Sequence, residues 1–185
     1  MKTSDAHVGR AESEPQLVDF YLGRVADARG RMVSDVWLKD YRWLEYTHDY
    51  IQWLFPLKSR SRYNPDAPIL TEKTINIFRS SDELRERLLK SLAIMLKFYG
   101  LQTEQIADKT IRIVESEEFL ERSSNWLSPG NHNFLRITRI LASLRTLGLG
   151  THAQALFGCL DQIYEEKKSV IGKETRSYWK SAAGN

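Results

Sequence analysis

Cysteine is almost missing from this sequence: Cys159 stands alone among 185 residues. An internal disulfide and any cysteine-built zinc cage are thereby excluded. The apolar setting ALFGCL at 155–160 predicts a buried, unreactive thiol. Long apolar runs are missing too. The densest, LAIML at 92–96, falls far short of the ~20 residues a membrane span needs, and no basic-then-apolar leader opens the chain. With five prolines and ten glycines, the composition is not that of a low-complexity or disordered chain. Neither sign of charge dominates: 27 basic side chains face 24 acidic ones, a net charge of +3. These absences predict a soluble protein of a reducing, cytoplasmic compartment, with no transmembrane segment.

What is present is aromatic content and helical periodicity. Five Trp, eight Tyr and seven Phe supply bulk for one sizeable core. Residues 1–13 lack apolar periodicity and are expected to form a flexible tail, with a single helical domain over 14–182. Pro15 suits the first position of a short helix reaching Gly23. Ser34 is a candidate N-cap for 35–55, a helical region of one helix or two that ends at Pro56. Thr71 caps a helix through Phe78, and Ser80 with Glu83 fits a capping box for the next. That helix carries Leu84, Leu88, Leu92, Met95, Leu96 and Tyr99 on one face and stops at Gly100. The segment TIRIV at 110–114 has strand character but no evident partner, so 103–127 reads as a loop and then a helix through Arg122. Helices over NHNFLRITRIL, HAQALFGCLDQIYEEK and ETRSYWK complete the chain. The expected fold is all-α, a single globular domain of about seven or eight helices.

Two short matches to known chemistry fail on context. GLGTHA at 148–153 fits a dinucleotide fingerprint, yet it follows a helix rather than a strand, and no βαβ unit surrounds it. EYTH at 45–48 matches the Glu-x-x-His element of di-iron bundles, but no second copy exists. No catalytic residue, cofactor or metal is assigned.

Two stretches remain informative. Wound as a helix, 41–55 buries a broad arc containing Leu44, Tyr50, Ile51, Leu54 and Phe55, with Glu45, Asp49 and Gln52 as a narrow polar stripe. His48 lies at the border. In 134–147, Ile137, Ile140, Leu141, Leu144 and Leu147 form the buried stripe; Arg139 points away and Arg136 lies at its edge. Asn131 or Asn133 can cap this helix. Arg136 could fork onto Glu45 or Asp49, which would make the pattern a structural lock.

The segments FYLG (20–23), HDYIQWLFPL (48–57), APILT (67–71), LRERLLKSLAIMLKFYG (84–100) and NHNFLRITRILASLRTLGL (131–149) together resemble the opioid growth factor receptor conserved region. The resemblance covers residues 20–165 and is to a compact, microbial-type member without the long repeat tail of the animal receptors. It implies a largely helical domain. For animal members it implies a protein named for binding an enkephalin peptide, with membrane and nuclear association.

The leading expectation is a non-enzymatic binding domain for a peptide or small molecule. Its ligand-binding candidates are His48, Asp49, Gln52, Asn131, His132, Arg136 and Arg139, with Trp53 or Trp126 as an aromatic wall. An enzyme would use His48 or His132 as acid or base, Asp49 as orienter, and Arg136 or Arg139 on an anionic group. A scaffold or nucleic-acid binder would use Arg24, Arg29, Arg31, Lys58, Arg60 and Arg62.

Overall fold

A helix whose apolar positions recur every three or four residues must bury that face against another element, and here the longest such helices frame the core. The structure, a computed structural model, describes residues 16–105 and 110–184; the expected tail at 1–13 and the Pro15 helix start lie outside them. Four short helices come first: α1 (Gln16–Tyr21), α2 (Val33–Trp37), α3 (Tyr41–Tyr46) and α4 (Ile51–Leu54). An irregular segment then leads to α5 (Glu72–Ser80) and the long α6 (Asp82–Tyr99). Strands β1 (Leu101–Gln105) and β2 (Ile111–Glu115) follow. The chain ends with α7 (Phe119–Ser123), α8 (Asn133–Thr146), α9 (Gly150–Glu166), α10 (Lys168–Ile171) and α11 (Lys173–Ala183).

The fold is therefore mostly helical but not all-α, and among the described residues it has eleven helices rather than seven or eight. The correction comes from the segment after Gly100. Gly100 ends α6 in the left-handed region at φ 76°, and its carbonyl accepts both the backbone N–H and the hydroxyl of Ser116, each at 2.9 Å. That closes an antiparallel pair in which Leu101 faces Glu115 and Gln105 faces Ile111. The TIRIV segment does have a partner. It is LQTEQ, whose four polar residues hide its strand character, and the pair is held by β2 packing on α9, with Ile113 buried.

The other differences are local. Residues 35–55 break into pieces, and Ser34 lies inside α2, whose start is capped instead by the Asp35 carboxylate accepting from Met32 N–H at 2.8 Å. Ser81, not Ser80, caps α6, accepting from Leu84 N–H at 3.3 Å, while the Ser80 hydroxyl donates back to Asn76 and Ile77. Thr71 caps α5 as expected, accepting from Thr74 N–H at 3.1 Å.

One buried cluster runs from Leu17 to Ala183. Helix α8 lies across it, packed against α9 and α11. Trp179 donates to the Phe134 carbonyl at 3.1 Å and meets its ring edge-on. The opposite flank of α8 faces α3 and α4. Among the described residues no helix is long and apolar enough to cross a membrane.

Candidate functional site

Helix α3 ends at Tyr46 and α4 begins at Ile51, so the carbonyls of the last turn of α3 have no partner within their own helix. Arg136 takes them. Its Nη1 donates to Leu44 O at 2.9 Å and Asn133 Oδ1 at 3.2 Å, and its Nη2 donates to Glu45 O at 3.1 Å and Thr47 O at 2.9 Å. The guanidinium is 5% exposed and sits 5.7 Å from the Tyr50 ring centre. A cation at a helix C-terminus also meets the negative end of the helix dipole. The expected fork onto a carboxylate is not the arrangement found: Glu45 Oε2 lies 3.9 Å away, and the forked contacts go to backbone. One turn along α8, Arg139 repeats the device more lightly, donating to Phe55 O at the end of α4 at 3.2 Å.

The opening of α8 is locked the same way. Asn131 Oδ1 accepts from Asn133 N–H at 2.9 Å, and its amide nitrogen holds Asn125 O and Ser128 Oγ. The fully buried Asn133 donates to Glu45 Oε2 at 3.0 Å. The 45–52 and 131–139 stretches are thus joined directly.

Their junction opens into a groove of about 960 Å³. His48 and His132 stand at its edge with ring centres 5.1 Å apart and planes perpendicular. His48 Nδ1 lies 2.8 Å from Arg136 Nη2; a guanidinium only donates, so Nδ1 accepts and the ring proton sits on Nε2. His132 Nε2 lies 3.5 Å from Glu45 Oε1. Burial lowers the His132 pKa from its ordinary value, Arg136 and His48 push the same way, and Glu45 opposes them. Burial also lowers the Arg139 pKa.

Of the eight candidates, His48, Gln52, His132, Arg136 and Arg139 line the groove. Gln52 is buried, its amide nitrogen donating to the carbonyls of His48 and Asp49, 3.2 Å each. Asp49, Trp53 and Asn131 do not line it. Asp49 is ion-paired with Arg29 at 3.1 Å and Arg31 at 2.9 Å, so it orients neither histidine. Trp53 is 2% exposed and packs on Phe20 with ring centres 5.1 Å apart. Trp126 is also in the core, donating to Tyr99 O at 3.0 Å. The basic loops divide similarly. Arg31 also pairs with buried Asp27 at 2.7 Å, and Lys58 pairs with Glu72, whereas Arg60 and Arg62 line the groove.

Sequence reasoning missed the apolar rim. Tyr46, Tyr63 and Leu135 are 74%, 81% and 59% exposed, and all three line the groove. Leu135 carried a signal, because it falls outside the 137/140/141/144 stripe on an otherwise amphipathic helix. Tyr63 carried none, since its loop is placed by tertiary bonds: Asn64 Nδ2 donates to Asp49 O at 2.8 Å. Among the described residues no group of three or more His, Cys, Asp or Glu side chains could hold a metal ion.

Comparison with known proteins adds a second line of evidence. Residues 12–183 match the model of the opioid growth factor receptor (OGFr) conserved region. The chain is 42% identical to the opioid growth factor receptor of Mus musculus over 142 residues, covering 75% of this chain and 22% of that one. It is 41% identical to the Homo sapiens receptor over 129 residues, covering 68% and 18%. It is 40% identical to opioid growth factor receptor-like protein 1 of Mus musculus over 116 residues, covering 63% and 24%. The chain thus spans about a fifth of the length of these relatives. No solved structure matches it.

Proposed function

This chain belongs to the opioid growth factor receptor conserved region family, and from that premise we propose that it is a non-enzymatic binding domain for a short peptide or a ligand of similar size. The binding surface is the groove between α8 and residues 45–63. The observation that carries this reading is the rim: three large, exposed apolar side chains converge on one concavity whose floor is tied down by Arg136. A groove of about 960 Å³ is in the range that encloses one small ligand. His48, Gln52, His132 and Arg139 touch the ligand; Arg136 and Asn131 hold the wall, and Asp49 and Trp53 fix the segment behind it. The relatives' names, which call them receptors for opioid growth factor, support a peptide as the ligand class.

The test pairs native mass spectrometry of gently purified protein with calorimetric titration of an enkephalin-type peptide, the ligand the family resemblance implies. Leu135→Asp is the variant, since Leu135 is exposed and its loss should leave stability within ~0.5 kcal/mol. A retained adduct or saturable binding, weakened by ~10-fold or more in Leu135→Asp, is the expected result. No adduct and no titratable peptide, or binding indifferent to Leu135→Asp, would remove the groove from consideration.

A further inference from the structure

The groove is electrically lopsided. Its lining contains one carboxylate, Glu45, and four arginines. Glu45 and Arg136 are engaged with each other's surroundings near the α8 start, through the Asn133 amide and the backbone of the α3 end. Among the described residues the other three arginines have no carboxylate partner. Arg139 gives one bond to Phe55 O, Arg60 gives one to Pro65 O, and none of Arg60, Arg62 and Arg139 is ion-paired among the described residues. Arg139 is half-buried, and a guanidinium drawn out of water without a counter-charge favours an anion that would complete it. Its remaining N–H groups are the natural fork for a carboxylate. Arg60 and Arg62, which line the same groove, add to its positive field.

The spacing limits the ligand. His132, which immediately precedes α8 beside Glu45, and Arg139 within it lie seven residues apart, ~10 Å along the helix axis. An extended peptide covers that distance in about three residues. Leu135 lies between these two positions on α8, and Tyr63 lines the same groove.

From this arrangement we infer that the Arg139 end of the groove is a carboxylate subsite, which receives the free C-terminal carboxylate of a short peptide with apolar or aromatic side chains. The amino-terminal end points toward Glu45 and His132. This rests on the groove being a peptide-binding site, as proposed above, and adds its polarity: the carboxylate end of the ligand lies at Arg139.

The experiment uses two matched libraries of tri- to pentapeptides, one with free carboxyl termini and one amidated, incubated with the full chain and read by native mass spectrometry. The free-acid library should be retained ~10- to 100-fold better, the value of one charge-assisted fork. Arg139→Gln, which keeps a donor for Phe55 O, should abolish that preference, so that the free-acid and amidated libraries are retained to the same extent. Arg62→Gln, at a side chain with no ion-pair partner among the described residues, should lower free-acid binding only by a few-fold, and it serves as the control whose folding is not in question. Equal retention of both libraries overturns the carboxylate subsite and leaves the peptide groove standing. Equal retention together with displacement by inorganic phosphate at constant ionic strength reassigns the arginines to phosphate and also overturns it. Retention of neither library overturns both readings.

Discussion

Replacing Arg136 with Met keeps the length of the side chain and removes every donor, so it isolates the lock between α8 and the α3 end. Leu44 O would retain the Tyr50 hydroxyl at 3.0 Å and lose little. Glu45 O, Thr47 O and His48 Nδ1 would each lose a charged donor, and the Glu45 carboxylate would lose the cation 3.9 Å away. Bonds from a charged donor contribute about 1.5–3 kcal/mol when buried, but these acceptors are half-buried and water can recover part of that. Removing one member of a buried charged network sets the scale at about 3–5 kcal/mol. Against a total stability of roughly 5–15 kcal/mol that is a large share, and it corresponds to a drop in Tm of roughly 6–20 °C. Urea unfolding followed by tryptophan fluorescence measures it, with an unchanged slope showing that the unfolded state is unaffected. Arg136→Lys should recover less than half, because an ammonium cannot fork across backbone carbonyls and an imidazole at once. A loss below ~1 kcal/mol for Arg136→Met would show that the α3 end does not depend on this arginine.

Acid should weaken the fold before the carboxylates titrate. His132 and His152 are both held below the ordinary value of 6.5 by burial, so the unfolded chain takes up protons that the folded chain refuses. Stability is therefore full above pH 6.5 and falls as pH drops through the folded values. Urea midpoints measured across this range should decline, and the decline should flatten in a His132→Gln, His152→Gln double variant; a flat profile in the parent would contradict the argument. Gly100→Ala should cost about 2–4 kcal/mol, combining a left-handed backbone with overpacking. The added Cβ would meet Phe119 Cα at 2.8 Å, whereas Gly30→Ala, at the same φ of 76° with open space around it, should cost only the backbone part. Equal thermal shifts in the two variants would refute the contact as the cause.

The contrast between α8 and residues 35–55 shows where sequence reading ends. In α8 the apolar residues other than Leu135 follow the 3.6-residue period, and Ile137, Ile140, Leu141 and Leu144 are all buried as the pattern requires. Between Tyr46 and Ile51 there is no Gly or Pro to mark a break. The carbonyls released there are satisfied by an arginine 90 residues downstream, and local propensity carries no trace of such a partner. The helical angle of Arg136 puts it at the edge of the stripe, yet it is buried because those carbonyls compensate its charge. Helical spacing places Asp49 in one stripe with Glu45 and Gln52, and the enzyme reading makes it the orienter of a histidine. Its carboxylate is instead held by Arg29 and Arg31, whose loop reaches it by a path no periodicity encodes. The hairpin failed for a third reason: LQTEQ buries only Leu101, so one strand of the pair looks like solvent-exposed loop.

Arg136 and Arg139 are rooted one turn apart on the same helix and grip the ends of two different short helices. The two helix ends are therefore tied to anchor points about 5 Å apart along the axis of α8. This wall of the groove cannot widen to admit a bulkier guest unless α8 unwinds or an arginine lets go. Any give must come from the opposite bank, where residues 57–63 hang between the Asn64 bond to Asp49 and the pairing of Leu70 with Leu57. If the groove binds a peptide as proposed, selectivity on the helical side is a matter of fixed fit, and accommodation belongs to the loop.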